Sequence, residues 1–234
     1  HCAPRLAHHP WRFAGNRWPM SDPDQPQPKA YVFVLLPGFS PLGFSCALDA
    51  LSLANHPPSG RVFYTWRLLS EDGAPVTSYN GVTFAVDDGL IELKRDETLI
   101  VCAGENAGDG STKRLLNWLR RESRFGRSIG GICTGAFALA QAGLIKDQKF
   151  TLHWENQPGF IERFPRLTPS ANTFEVSGPL MTCGGGNAAT DLMLSLIEAR
   201  HGKQLAIIVA DMCLHARSGG QAAPQKSNFA VAIG

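Results

Sequence analysis

The chain has 234 residues and a mass of 25.3 kDa; 44% of its residues are hydrophobic, 18% are charged, and its formal net charge is +2. A charged share below the usual quarter requires extensive burial, and so small a net charge argues against a nucleic-acid or membrane surface. No apolar run approaches the roughly 20 residues of a membrane span. Six cysteines (2, 46, 102, 133, 183 and 213) without a CxxC pair fit a reduced, cytoplasmic protein better than a disulfide scaffold.

Residues 1–29 mix Arg, His, Trp and Pro without a signal-peptide core and are expected to be a disordered or non-native leader. Tyr31 to Leu36 is a continuous apolar run closed by Pro37-Gly38, the pattern of a strand buried on both faces of a parallel sheet. Leu42 to Asn55 has helical spacing; Tyr64 to Leu69 is a second strand, and Ser78-Tyr79-Asn80-Gly81 a hairpin-type turn. Leu99 to Cys102 is a third buried strand, ending in Ala103-Gly104-Glu105-Asn106. The next helix turns Leu115, Trp118 and Leu119 inward and ends near Gly126. Its Lys113, Arg114, Arg120, Arg121 and Arg124 read as a solvated face rather than a DNA contact.

Ser128 to Ile132 is a short strand that stops at Cys133 and turns at once into a helix carrying Ala136, Leu139 and Ala140. A sharp strand-to-helix elbow strains its central residue and leaves no space for neighbouring side chains, which Gly131 and Gly135 provide. The elbow lifts a thiol toward a helix N-terminus, where unpaired N–H groups favour a thiolate. Phe150 to Leu152 is expected as a strand delivering His153-Trp154-Glu155-Asn156 to its end, followed by a helix to about Phe164. A hairpin at Ser177-Gly178-Pro179 joins Phe174–Val176 to Leu180–Cys183. Gly184-Gly185-Gly186 then opens a helix with Ala188, Ala189, Leu192, Leu196 and Ala199 on its inner face. A last helix, with Leu205, Ile208, Val209 and Met212 inward, runs to about Arg217. Residues 218–234, rich in Gly, Gln, Pro and small residues, have the composition of a linker. Alternating strands and helices define an α/β fold with a doubly wound, mostly parallel sheet flanked by helices, as in flavodoxin-like proteins. Its ligands bind beyond the C-terminal strand ends, where Cys133, His153 and Glu105 fall.

A nucleophilic thiol needs a base, and His153 is the candidate; a hydrogen-bonded structural histidine is the alternative. The triple glycine can cradle an anion such as a carboxylate, or merely permit tight packing. Trp154 and Phe137 could offer an aromatic face to a cationic amine, with Glu105 or Glu155 adding charge, or could simply be core. No residue set has metal-ligand spacing, and no cofactor motif is present.

Taken together, Leu36-Pro37-Gly38-Phe39, Ile132-Cys133-Thr134-Gly135, Thr151-Leu152-His153-Trp154 and Cys183-Gly184-Gly185-Gly186 through Asp191 resemble the ThiJ/PfpI superfamily, the class I glutamine amidotransferase-like fold. Within it, Leu152-His153-Trp154-Glu155-Asn156 and Cys213-Leu214-His215-Ala216-Arg217 are most similar to the N-terminal domain of GlxA-type AraC-family regulators. That resemblance implies a domain over residues 30–217, a linker over 218–234, and a DNA-binding region of two helix-turn-helix units lying outside this chain. It also implies that an acidic residue should stand where this chain has Gly43, because enzymes of the superfamily place a carboxyl group there to meet the cysteine. Asp49, six residues later on the helix, is rotated off that face.

Two functions follow as expectations. One is an effector-sensing domain, expected to pair as a homodimer without membrane contact, that binds a small amine or carboxylate at Cys133, Thr134, His153, Trp154, Glu105, Phe137 and Gly185. The other is a cysteine-dependent hydrolase, hydratase or glyoxalase-like enzyme with Cys133 as nucleophile and His153 as base; Gly43 tells against it.

Overall fold

The computed structural model describes residues 27–56, 61–104, 111–216 and 224–225. Strand β1 (Lys29–Leu35) is followed by helix α1 (Pro41–Ala54), β2 (Tyr64–Leu69), β3 (Val76–Thr77), β4 (Thr83–Phe84), β5 (Thr98–Cys102) and α2 (Lys113–Ser123). Then come β6 (Ile129–Ile132), α3 (Ala136–Gln141), a 3₁₀ turn (Trp154–Asn156), α4 (Gln157–Arg163), β7 (Phe174–Ser177), β8 (Leu180–Cys183), α5 (Ala188–His201) and α6 (Lys203–Met212). The main sheet has the order β2-β1-β5-β6-β8-β7, and every neighbouring pair is parallel except β7 with β8. This is the doubly wound α/β sheet expected from the sequence.

Both faces of that sheet are dry because alternate residues of the same strand enter different cores. Tyr31, Phe33 and Leu35 of β1 join Ile100, Cys102 and Ile132 under α1, α5 and α6. Val32, Val34 and Leu36 join Leu99 and Val101 under α2, α3, Phe150 and Phe160. On α2, Leu115, Trp118 and Leu119 point inward as their spacing requires, and the basic face is partly tied down: Arg120 donates to the carbonyls of Gln141 and Ala142. The Ser78–Gly81 turn joins the antiparallel β3 and β4, and Gly178, at φ +60°, makes the tight turn between β7 and β8.

Several expectations need correction. Lys29 and Ala30 already belong to β1, so the first strand begins where the leader was expected to end; the rest of the leader, residues 1–26, lies outside the described residues. Phe150 to Leu152 is extended but pairs in no ladder. β6 and β8 are hydrogen-bonded directly to each other, which closes the sheet to a strand between them. The 150–152 segment instead satisfies its backbone across the strand ends: Thr151 N–H donates to Thr182 Oγ1, and Phe150 C=O accepts from Ser170 N–H. Helix α5 is buried at Ala189, Thr190, Met193, Leu194 and Ile197, while Ala199 is exposed, because sheet, α1 and α6 together cover a broader face than one stripe. Helix α6 stops at Met212, which is exposed, and buries Leu205, Ala206, Val209 and Ala210. Arg217 and most of the expected linker lie outside the described residues.

Candidate functional site

Register brings the C-terminal ends of four strands level. Leu35 pairs with Cys102, Cys102 with Ile132, and Ile132 with Cys183, so the loops after β1, β5, β6 and β8 emerge side by side. Phe39 bridges Gly104, Ser40 N–H donates to Ala103 C=O, and Cys133 N–H donates to Cys183 C=O at 3.0 Å.

Cys133 sits on the elbow at φ +60°, a left-handed conformation that side chains rarely adopt. The glycines around it have the steric role expected of them. A Cβ on Gly131 would lie 3.0 Å from Ala136 N, and one on Gly135 would collide with the Val101 carbonyl. The thiol itself is half-buried, and the expectation of a thiolate is reversed. Burial pushes its pKa up to about 11, against smaller lowering influences from the Thr134 backbone N–H and the Ser40 side chain. Helix α3, only six residues long, does not overcome that desolvation.

The loops also settle what can stand beside the sulfur. A Cβ on Gly43 would sit 2.9 Å from Ile132 Cγ2, 3.1 Å from Gly186 N and 3.2 Å from Gly185 Cα. A side chain at position 43 therefore requires Ile132 to shift and the Gly185–Gly186 backbone to give by a few tenths of an ångström. Gly185, at φ +87°, approaches equally closely: a Cβ there would lie 2.9 Å from Cys133 Cβ. Asp49 is exposed on α1. Of the three glycines, Gly185 is the one pressed against Cys133.

His153 reaches the elbow through its backbone, N–H to Cys133 C=O at 3.2 Å. Among the described residues no hydrogen bond joins its ring to the thiol; Nδ1 faces Glu155 Oε2 at 4.0 Å, and the ring lies 5.7 Å from that of Trp154. Thr134 is buried, with its hydroxyl donating to Gly104 C=O at 2.6 Å. Phe137 is not at the site. Its ring meets Phe160 at 5.0 Å edge-on and belongs to the core on the α2 and α3 face, whereas Cys133 packs on the α1 and α5 face. Phe137 and Cys133 thus pack into different cores, and among the described residues no ring contact joins Phe137 to Trp154. Trp154, 40% exposed, lines a recess with Gln157, Pro158, Ile161, Ala171, Pro224 and Gln225. Glu105 lies outside the described residues.

Two contributors were missed from the sequence. Ser40 caps α1 through its carbonyl, which accepts the Phe44 N–H, while its side chain makes no capping bond and is left for the thiol; only its place after Pro37-Gly38 hinted at this. Gln225, deep in the expected linker, carried no signal at all.

A doubly wound sheet with a cysteine elbow at its C-terminal edge defines the class of protein. The family model described as the DJ-1/PfpI family matches residues 28–199, and the chain belongs to that family. It is 42% identical over 181 residues to the HTH-type transcriptional regulator CdhR of Pseudomonas aeruginosa, covering 77% of this chain and 53% of CdhR. It is 38% identical over 203 residues to the HTH-type transcriptional regulator GlxA of Rhizobium meliloti, covering 86% of this chain and 62% of GlxA. The chain thus spans roughly half to three fifths of these regulators. Among solved structures, an AraC family transcriptional regulator from Pseudomonas putida superposes with a TM-score of 0.68 at 27% identity, over 80% of this chain and 100% of that one. Among the described residues no helix is long and apolar enough to cross a membrane.

Proposed function

We propose that the chain is the effector-sensing domain of an AraC-type cytoplasmic transcriptional regulator, with residues 30–217 as the domain and 218–234 leading toward a DNA-binding region. The observation that carries this reading is the similarity to CdhR and GlxA, both named as HTH-type transcriptional regulators. The effector is a small amine or carboxylate, such as an amino acid or betaine, held beyond the strand ends by Cys133, Thr134, His153, Trp154 and Gly185. Binding there shifts the population of linker orientations in a homodimer and so reaches DNA through the region that follows.

The local chemistry supports binding over turnover. Proton transfer at a cysteine needs a group to receive the proton. Here burial pushes the thiol's pKa up to about 11, position 43 is a glycine that carries no carboxylate, and among the described residues the imidazole of His153 makes no bond to the sulfur.

A thermal-shift screen against amino acids, betaines, choline derivatives and short carboxylates tests the effector class. A ligand of the folded state at a hundredfold excess over its dissociation constant adds about 2.7 kcal/mol of stability. One chemical class should raise the midpoint, and Trp154→Ala should lose most of that shift. No shift from any amine or carboxylate would overturn the assignment.

A further inference from the structure

The triple glycine and the chain beyond the domain meet at one side chain. Pro224 makes an isolated antiparallel bridge to Asn172, and Gln225 N–H donates to Ala171 C=O at 3.0 Å, which places both residues against the segment that leads into β7. The Gln225 carboxamide then enters between the 151–154 segment and Asn172. Its Oε1 accepts the Trp154 N–H at 3.0 Å, and its Nε2 lies 2.9 Å from Thr151 Oγ1, 2.9 Å from Leu152 C=O and 2.8 Å from Asn172 C=O. One oxygen meets a donor and one nitrogen meets three acceptors, so the amide orientation is fixed by its surroundings. A glutamate there would turn an oxygen onto two carbonyls; an asparagine is one methylene short.

Gly184 supplies an independent argument. Its backbone φ lies outside the left-handed region, so its conformation does not demand glycine. The three atoms nearest an added Cβ all belong to Gln225: Oε1 at 2.5 Å, Cδ at 2.7 Å and Nε2 at 3.1 Å. Position 184 is open so that the glutamine can fit. The docked amide also touches the wall of the candidate site. Leu152 and Trp154 flank His153, which bonds the Cys133 carbonyl, and Gly184 precedes Gly185, which lies against Cys133.

We infer that Gln225 is a tether through which the chain following the domain is fastened to the wall of the cysteine-elbow site, so that occupancy of the site and release of the tether are linked. The consequence for gene regulation rests on the sensor reading above; the tether itself does not. Linkage is reciprocal: a group at the elbow that moves the 152–154 backbone loosens Gln225, and loosening Gln225 alters what the elbow accommodates.

Hydrogen exchange on the whole chain tests the tether. Trp154 N–H and Gln225 N–H should be protected in the wild type. Both should exchange at least tenfold faster in Gln225→Ala, Gln225→Glu and Gly184→Ala, while Cys133 N–H, bonded to Cys183 C=O, keeps its protection. The Gly184 variant matters most, because its new carbon must push the carboxamide out of its present place without altering the glutamine itself. Equal exchange in wild type and Gln225→Ala, or unchanged protection in Gly184→Ala, would overturn the docking. For the link to the site, iodoacetamide serves as the probe: the Cys133 thiolate displaces iodide and carries a carbamidomethyl group at the elbow. Once peptide mass spectrometry shows Cys133 fully carbamidomethylated, treated wild type should show several-fold faster exchange at Trp154 and Gln225 than a Cys133→Ala variant given the same treatment, which controls for alkylation of Cys46 and Cys213. Identical exchange in the two would leave a static tether and overturn the coupling. None of these readouts uses an effector or DNA, so failure of the sensor reading cannot produce them.

Discussion

Cys133 combines a strained backbone with a reluctant thiol. The left-handed φ of +60° is imposed by the Cys133 N–H bond to Cys183 C=O on one side and by the start of α3 on the other. Burial beside Gly185 then removes water from the sulfur. Alkylation by iodoacetamide at Cys133 should therefore climb about tenfold per pH unit and level off near pH 11. A plateau near pH 7, followed by peptide mass spectrometry, would show an activated thiolate instead. Gly43 offers a second residue-scale prediction. Alanine in a helix gains about 1 kcal/mol over glycine from propensity, whereas overpacking costs about 1–3 kcal/mol. With Ile132 Cγ2 and the backbone of Gly185 and Gly186 within 3.2 Å of the new carbon, packing wins. Gly43→Glu should lower the denaturant midpoint and confer no hydratase activity; a midpoint equal to wild type would show that the loops can part to admit the acid.

At the scale of elements, buried charge joins α2, the loop before β5 and β6. Arg127 and Glu122, with side chains 1% and 0% exposed, meet at 3.0 Å. The guanidinium also donates to the carbonyls of Leu93, Lys94, Glu97 and Glu122, while Glu122 accepts the Leu93 N–H. Arg127→Met leaves the buried Glu122 carboxylate with only the half-exposed Arg121, whose Nε lies 3.0 Å from Oε1, and should cost about 3 kcal/mol. Arg127→Lys should recover only part of it, since an ammonium cannot span the same fork; chemical denaturation of the three proteins reads this directly. None of this network was legible in the sequence, because pairing between Glu122 and Arg127 depends on the turn between α2 and β6. The strands were legible, since an apolar run such as 31–36 buried on both faces has few other readings. Phe150 to Leu152 misled for the same reason: three apolar or β-branched residues look like a strand wherever the sheet has no room for one. Ala199 and Met212 misled because helical spacing gives a stripe, whereas α5 and α6 are covered by whichever neighbours the topology supplies.

For the molecule as a whole, buried thiols and a buried phenol set an alkaline limit. Cys102 is raised well above its ordinary value, Cys183 up to about 12, Cys133 to about 11 and Tyr31 to about 12, all by burial. Each keeps its proton in the folded chain at pH values where the unfolded chain has released it. The unfolded state then binds fewer protons, so stability is full below about pH 9 and falls as pH rises toward 12. Urea midpoints at pH 7, 9 and 10.5 should begin to drop by pH 9, where the unfolded thiols are about half ionised, and drop most over the last interval; a flat series would mean that the thiols ionise as freely in the fold as out of it. The resemblance placed the family, and Cys133, Gly131 and Gly135 placed the elbow, because strand-to-helix geometry leaves a local signature. The site's outer wall left none: Gln225 is far along the chain from Thr151 and Trp154, and only the fold brings them together. The central claim is that the elbow binds without consuming. Wild type and Cys133→Ala should each be incubated with the compound that raises the thermal midpoint, and its proton NMR spectrum followed for many hours at catalytic protein concentration. The account predicts that the compound persists in both samples and stabilises both proteins. Its disappearance with wild type but not with Cys133→Ala would make the domain an enzyme and contradict the account.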